Sequence, residues 1–321
     1  MFEMLLTGFN YGLITFVGTM TAFFMTCYLL HRFGGFLPQD QGREFAHDGK
    51  LSAGKPRGAG IIFILVFTIS VLLFGRLHTE MIIYLVLVVA SMLTGYLDDC
   101  ARNPWGEYKK GFLDLVIAVM CAVTYLNYNG NSFYIVSLQK MVTIPPILFG
   151  LLIVVLVWVS INVTNCADGV DGLSGTLTIV TLATIYIILS MEGKETDFSY
   201  TILLFIVCIL GYLWYNATPS RMLMGDAGSR AMGIFISIAI LKTGSPLLYI
   251  PVAFVLIMDG GLGLVKVALL RFLKIKIFAN TRLPLHDHVR KKWNWSNTQT
   301  VFRFTIIQII VSIAVIYSFY R

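Results

Sequence analysis

Residues 146–162 read PILFGLLIVVLVWVSIN, and residues 162–173 continue NVTNCADGVDGL. The first string carries no charge, and as an α-helix it would traverse most of a hydrocarbon core about 30 Å thick. The second turns abruptly to asparagine, aspartate and glycine. A membrane span that ends in a polar, ligand-grade loop is the simplest reading of the pair.

The same template fits repeatedly along the chain. The spans are predicted at approximately 9–30, 59–75, 80–97, 112–127, 146–162, 173–191, 200–216, 231–243, 247–270 and 301–320. With 57% hydrophobic and 13% charged residues and a mean hydropathy of +0.79, the chain lies well outside the make-up of soluble domains. No stretch can form a separate water-soluble core, and neither an internal repeat nor a low-complexity segment is apparent. Residues 1–321 are therefore read as one polytopic membrane domain of an all-α integral membrane protein with about ten transmembrane helices. The first span follows Met-Phe-Glu-Met rather than a basic segment, so it is expected to be retained rather than cleaved. Cys27, Cys100, Cys121, Cys166 and Cys208 lie in or beside apolar runs without paired spacing, which suits free thiols.

Sidedness follows from lysine and arginine, because short loops rich in them stay in the cytoplasm. If residues 31–58 are inside, the outer side keeps only Arg76, Lys140, Lys194, Lys242 and Arg321, and Lys266 falls within a span. The remainder of the 24 basic residues are internal. Both termini are then expected outside. The net charge of +7 is a topology signal rather than a nucleic-acid footprint, since no basic stripe interleaves with aromatics, and no nucleic-acid partner is expected. A positively charged inner face suits an anionic substrate or lipid headgroup.

Four inner segments carry chemistry. Asp98-Asp99 closes the third span and is followed by Arg102 and Lys109-Lys110; adjacent carboxylates favour a divalent cation or a proton-transfer role, unless they are simply a hydrated helix end. Asn162, Asn165, Asp168 and Asp171, with Gly169 and Gly172, suit hydrogen bonding to a nucleotide or sugar with close backbone approach by the ligand, and helical spacing would put both aspartates on one face. Asn216 and Arg221 precede Met224-Gly-Asp-Ala-Gly-Ser229, where Asp226 stands at a helix start whose free N–H groups welcome phosphate. Pro284-Leu-His286-Asp287-His288 leads into Arg290-Lys-Lys-Trp293; without a third clustered ligand, hydrogen bonding to an anionic oxygen is favoured over zinc. Asp114, Asp259 and Lys266 are charges in or near spans, which face a cavity or pair with one another. Asp259 and Lys266, seven apart, would share a helix face as an ion pair or a substrate contact. Carboxylates, amides and basic groups converging on one side suit magnesium-assisted phosphate chemistry.

In this combination and order, the Asp98-Asp99 pair, the Asn162–Leu173 stretch and Met224-Gly-Asp-Ala-Gly-Ser229 resemble the polyprenyl-phosphate N-acetylhexosamine-1-phosphate transferases over nearly the whole chain, and most of all their phospho-N-acetylmuramoyl-pentapeptide branch. The resemblance implies a Mg²⁺-dependent phospho-sugar transferase of the bacterial plasma membrane, multi-pass, with a cytoplasmic active site. It implies transfer from UDP-MurNAc-pentapeptide to undecaprenyl phosphate, with lipid I and UMP as products in peptidoglycan synthesis, and a homodimer in the bilayer. By the same resemblance Asp226 is the magnesium ligand, Asp98 acts on the lipid phosphate, Asp99 supports metal or phosphate placement, and His286 and His288 match two members of a histidine triplet. Asn165, Asp168, Asp171 and Asn216 would line the nucleoside and sugar pocket. Arg102, Lys50, Lys55, Ser229 and Lys266 complete the substrate-binding candidates. The chain departs from the family pattern at Asp287, Leu223 and Lys266, and at Lys55-Pro56-Arg57, where Thr-Pro-Thr is common. The alternative within the family is a GlcNAc-1-phosphate transferase acting on the same lipid. An ion-coupled transporter is a further alternative, although its acids would sit near the midplane of a repeated architecture.

Overall fold

A computed structural model describes residues 11–42, 52–101, 103–193 and 197–319. The chain is helical almost throughout: α1 (Tyr11–Phe33), α2 (Gly60–Phe74), α3 (Thr79–Asp99), α4 (Glu107–Asn129), α5 (Pro146–Cys166), α6 (Leu173–Met191), α7 (Asp197–Asn216) and α8 (Gly225–Lys242). A bent segment, α9, follows with arms Pro246–Val252 and Phe254–Leu273; then come α10 (Leu285–Trp293) and α11 (Asn297–Phe319). Helices other than α10 fall where the ten spans are expected. Among the described residues, 7 are long and apolar enough to cross a bilayer, and α9 makes an eighth if its arms count as one span. A short antiparallel hairpin, β1 (Ser132–Ile135) with β2 (Lys140–Thr143), joins α4 to α5 and adds to the all-α expectation. Outward-facing Phe16, Ile147, Val155 and Ile313 remain exposed, as side chains solvated by lipid would be.

The two helices that fall short of a span have different reasons. α2 has only 15 residues. α8 carries Asp226 and Arg230 in its first turns, and every residue from Gly225 to Leu241 is buried. It is the central post, packed against α2, α3, α5 and α6. Surrounded by protein, it does not need the apolar surface that lipid imposes. Close backbone approach makes this possible: a Cβ at Gly95 of α3 would strike the backbone of Asp226 and Ala227, and one at Gly60 of α2 that of Gly228. Small residues at such crossings are how membrane helices gain packing contacts. Deeper in the bundle, the Phe205 and Phe235 rings stack at 4.2 Å with Phe67 edge-on to both, locking α7, α8 and α2.

The bend of 73° in α9 exposes backbone groups that a bilayer cannot satisfy. Fully buried Gln308 of α11 satisfies them: its amide oxygen accepts from the Val255 N–H at 2.9 Å and its amide nitrogen donates to the Val252 carbonyl at 2.8 Å. Beyond the bend the helix widens to π turns at Ile257–Gly261 and Leu269–Leu273. At the end of the bundle where α3 begins and α4 and α8 finish, Lys242 bonds both oxygens of Glu80, at 3.0 and 2.9 Å, and Asn129 donates to Glu80 at 2.6 Å. The opposite end, where α3 finishes and α8 begins, gathers the functional candidates.

Candidate active site

Helix α3 delivers Asp98 and Asp99 side by side, but their surroundings divide them. Asp99, with a fully buried carboxylate, accepts from the backbone N–H groups of Asp226 at 3.1 Å and Ala227 at 3.0 Å. It therefore caps the first turn of α8, whose N–H groups have no partner within the helix. The anion welcomed at that helix start is thus a side chain of the protein, not a phosphate. Gly225 takes φ +68° directly against the Asp99 carboxylate, where a Cβ would collide with it. Asp98 turns the other way: it accepts from the Trp105 N–H at 2.7 Å and from Lys110 Nζ at 2.5 Å.

Lys110, one turn into α4, also reaches Asp226 at 3.1 Å, bridging it to Asp98. From the other side comes Arg57. Its Nε donates to Asp99 at 2.8 Å, Nη1 to Asp40 at 3.1 Å, and Nη2 faces Asp226 at 3.4 Å. Burial works against the Arg57 charge, but Asp99 and Asp226 outweigh it and hold its pKa above the ordinary guanidinium value. Four carboxylates and two cations thus meet where α3, α4, α8 and the loop before α2 converge.

Asp40, Arg57 and Asp226 of this cluster line an open cavity of about 450 Å³, whereas Asp98, Asp99 and Lys110 are not part of its lining. Lys55, Asn165, Asp168, Asp171, Asn216 and Asp226, all expected site residues, line it. The Asp168–Asp171 segment runs as consecutive turns rather than a helix, with Gly172 at φ +82°. Gly169 is needed for close approach, but to His286, whose ring a Cβ would meet. Asp171 accepts from the Ser220 N–H at 3.2 Å and lies 4.0 Å from Lys55. Asn216, 3% exposed, serves mainly as a clamp: its side chain accepts from the Gly172 N–H at 2.8 Å and donates to the Met222 carbonyl at 2.9 Å. Asn165 donates to Ser229 at 2.9 Å, tying the α5 end to α8.

The histidines stand further back. His286 is buried at the start of α10, held by Asp259 through its N–H and its Nδ1, both at 2.7 Å. His288 accepts from the Arg282 N–H at 3.2 Å and packs edge-on to Trp293. Lys266 donates to the Phe278 and Thr281 carbonyls, at 2.9 and 3.0 Å. It makes no pair with Asp259, because the intervening π turn changes the angular spacing that would align residues seven apart. Neither His288 nor Lys266 lines the cavity. Lys50 and Arg102 lie outside the described residues.

Motif spacing gives Arg57 and Asp40 no role in a site, and it places Lys110 and Arg290 only as basic residues that follow the aspartate pair and the histidines. Arg290 lines the cavity, bonds Asp287 at 2.7 Å and donates to the Gly169 carbonyl at 3.3 Å, docking α10 onto the Asp168 turn. The basic run after the histidines was a signal, but only for charge. Below the cluster, Arg230 of α8 pairs with Asp114 of α4, and Asn162 of α5 also donates to Asp114, at 3.4 Å. The five cysteines are free.

The site's donor set is suited to a hard cation beside phosphate. Asp226 offers two oxygens at the cavity edge, and a lysine ammonium already stands between it and Asp98. No group of three or more acidic, histidine or cysteine ligands capable of holding a metal occurs among the described residues. A hard divalent cation needs only one or two carboxylates when water and substrate phosphates complete its shell, and Asp226 is the carboxylate of the cluster that fits that part at the cavity.

Residues 81–244 match the family described as Glycosyl transferase family 4. The chain is 40% identical over 325 residues to the phospho-N-acetylmuramoyl-pentapeptide-transferase of Treponema pallidum strain Nichols, covering 96% of this chain and 90% of that one. Proteins of the same name from Nitratiruptor and from Wolbachia pipientis are 28% and 26% identical, over 90% and 80% of this chain.

Proposed function

Because the chain belongs to glycosyl transferase family 4, and within it to the phospho-N-acetylmuramoyl-pentapeptide-transferases, we propose that its cavity carries out phospho-sugar transfer from UDP-MurNAc-pentapeptide to undecaprenyl phosphate. The products are lipid I and UMP, and the process served is peptidoglycan synthesis. The observation that carries the reading is the meeting of Asp98, Asp99, Arg57 and Lys110 around Asp226, which with Arg57 lines the same cavity as Asn165, Asp168 and Asp171.

In the transfer, an oxygen of the lipid phosphate attacks the sugar-bearing phosphorus. A new P–O bond forms, the P–O–P bridge breaks, and UMP leaves with the bridging oxygen. Catalysis of this kind rests on positioning and charge stabilisation more than on covalent participation by the protein. Asp98, held by the Trp105 N–H on one oxygen and paired with Lys110 through the other, acts on the lipid phosphate through that lysine. Lys110 balances charge between Asp98 and Asp226. Asp171 and Asn165 hold the nucleoside and sugar side, and Asn216 fixes the turn that presents them. A Mg²⁺ ion, held by Asp226 with Asp98 adjacent, would supply Lewis-acid neutralisation of the diphosphate when bound. His286, oriented by Asp259, supports the Gly169 turn from behind.

We further infer a bacterial plasma-membrane protein crossing ten times, with the cluster on the cytoplasmic side, both ends outside, and a homodimeric assembly. The basic residues around the cluster support that sidedness, and burial of α8 within the bundle supports counting it as a span without lipid-facing surface.

Purified protein with undecaprenyl phosphate is expected to release UMP from UDP-MurNAc-pentapeptide at least about a hundredfold faster, by kcat/KM, than from UDP-GlcNAc, a preference within the range that a site built for polar groups can reach. The inverse preference would assign the chain to GlcNAc-1-phosphate transfer. Release from neither donor would remove the transferase reading.

A further inference from the structure

We propose that Arg57 is a phosphate-binding residue of this site, anchored by two carboxylates and presenting its free donors to a phosphate group of an incoming substrate. The inference rests on the reading of the cavity as a nucleotide-sugar and lipid-phosphate site.

The loop that carries Arg57 is fixed from both sides. Its own N–H donates to the Pro38 carbonyl at 2.7 Å, while the Pro56 carbonyl accepts from the Leu223 N–H at 2.8 Å and the Ala59 N–H donates to the Leu223 carbonyl at 3.0 Å. The backbone is thus stitched to the chain before it and to the segment leading into α8. Asp40, one of the two anchors, is itself held, accepting from Ser52 Oγ at 2.6 Å and from the Gly42 N–H at 3.2 Å. Asp99, the other, is held by the α8 amides.

A guanidinium has five N–H donors in a rigid fork. Among the described residues, Arg57 uses one on each nitrogen. One donor therefore remains on each terminal nitrogen, and the side chain is 18% exposed at the cavity wall. The three bonds are unequal. Those to Asp99 and Asp40, at 2.8 and 3.1 Å, are normal, whereas the contact with Asp226 at 3.4 Å exceeds the usual range. The long contact is the one that gives way when a phosphate arrives. Arg57 then keeps its anchors, its Nη2 passes from Asp226 to a phosphate oxygen, and Asp226 is released toward its own ligand. A lysine ammonium, a point charge on a flexible stem, lacks the planar fork that fixes two carboxylates and a phosphate in one geometry.

The test uses full-length protein in lipid nanodiscs, with UDP and uridine as separate titrants and undecaprenyl phosphate as the lipid. A lost hydrogen bond to a charged group predicts UDP binding weakened about tenfold in Arg57→Lys and up to about a hundredfold in Arg57→Ala. Uridine, which has no phosphate, is expected to bind both variants within about twofold of wild type, since each charge-assisted bond at stake goes to phosphate. If UDP affinity holds but the KM for undecaprenyl phosphate rises about tenfold in Arg57→Lys, the contact is with the lipid phosphate and the proposal stands. Equal weakening of UDP and uridine means that Arg57 only shapes the loop, and overturns it. So does a lack of effect on both UDP affinity and lipid KM. Wild-type protein that binds neither UDP nor uridine overturns the reading of the cavity itself.

Discussion

Asp226→Asn lowers UMP release by about a thousandfold or more, at the upper end of what removal of one preorganised electrostatic group does to a rate, while the protein stays folded. The carboxylate faces Lys110 at 3.1 Å through one oxygen and Arg57 at 3.4 Å through the other. A carboxamide replaces one acceptor with a donor pointed at a cation, and it removes the negative charge on which metal and phosphate placement depend. The helix does not depend on that side chain, because the cap on α8 is Asp99. The expected outcome is a variant with an unchanged thermal midpoint and no magnesium-dependent UMP release, measured in the same detergent preparation. Turnover within tenfold of wild type would withdraw Asp226 from the chemistry; loss of the thermal transition would make it structural.

The second large effect is on stability. Arg230 and Asp114 are both buried, and their pairing joins α8 to α4, with Asn162 of α5 as a third partner. Removing one member leaves the other as an uncompensated charge in the bundle interior, a loss of about 3–5 kcal/mol. Arg230→Leu alone is therefore expected to fail to accumulate or to melt far below wild type. The double variant Asp114→Ala, Arg230→Leu carries no orphaned charge and is expected to recover most of the stability, since buried pairs often exchange for apolar residues at little net penalty. Thermal denaturation of both purified variants checks this. A single variant as stable as wild type would show that the pair is not isolated from water.

Much of the architecture was legible because lipid is a demanding solvent. Each helix that faces it must offer about 20 apolar residues, so α3, α5 and α6 lie close to their expected bounds. The exceptions are places where protein, not lipid, is the neighbour. The first turns of α8 are too polar for a bilayer, so the expected span began at residue 231, yet the helix starts at Gly225. The bend in α9 depends on Gln308, which is more than fifty residues away in the chain and has no local signal, although Pro251 within the run marks a point where a helix loses a donor. α10 is short and strongly amphipathic, below the length at which a span template responds.

The site divides in the same way. Asp168, Asp171, Asn165 and Asp226 could be named because each sits in a dense polar motif beside a span, and the structure gathers all four at one cavity. What motif density cannot supply is pairing. Arg57 contributes to the positive-inside count like any other loop arginine, and nothing local says that it meets Asp99 and Asp226. Asp98 and Asp99 read as equivalent neighbours, yet successive residues on a helix point about 100° apart. That rotation sends one to the α8 amides and the other to Lys110. The distinction between cap and cluster is set by the packing of α3 on α8, which Gly95 permits.

The central claim is that the site transfers a phosphorylated sugar rather than the sugar alone, and the fate of one phosphorus atom decides it. UDP-MurNAc-pentapeptide labelled with ³²P at the sugar-bearing phosphate, incubated with the protein, Mg²⁺ and undecaprenyl phosphate, is expected to carry the label wholly into the lipid fraction, leaving unlabelled UMP. Label retained in a released nucleoside diphosphate, with sugar reaching the lipid, would contradict the account.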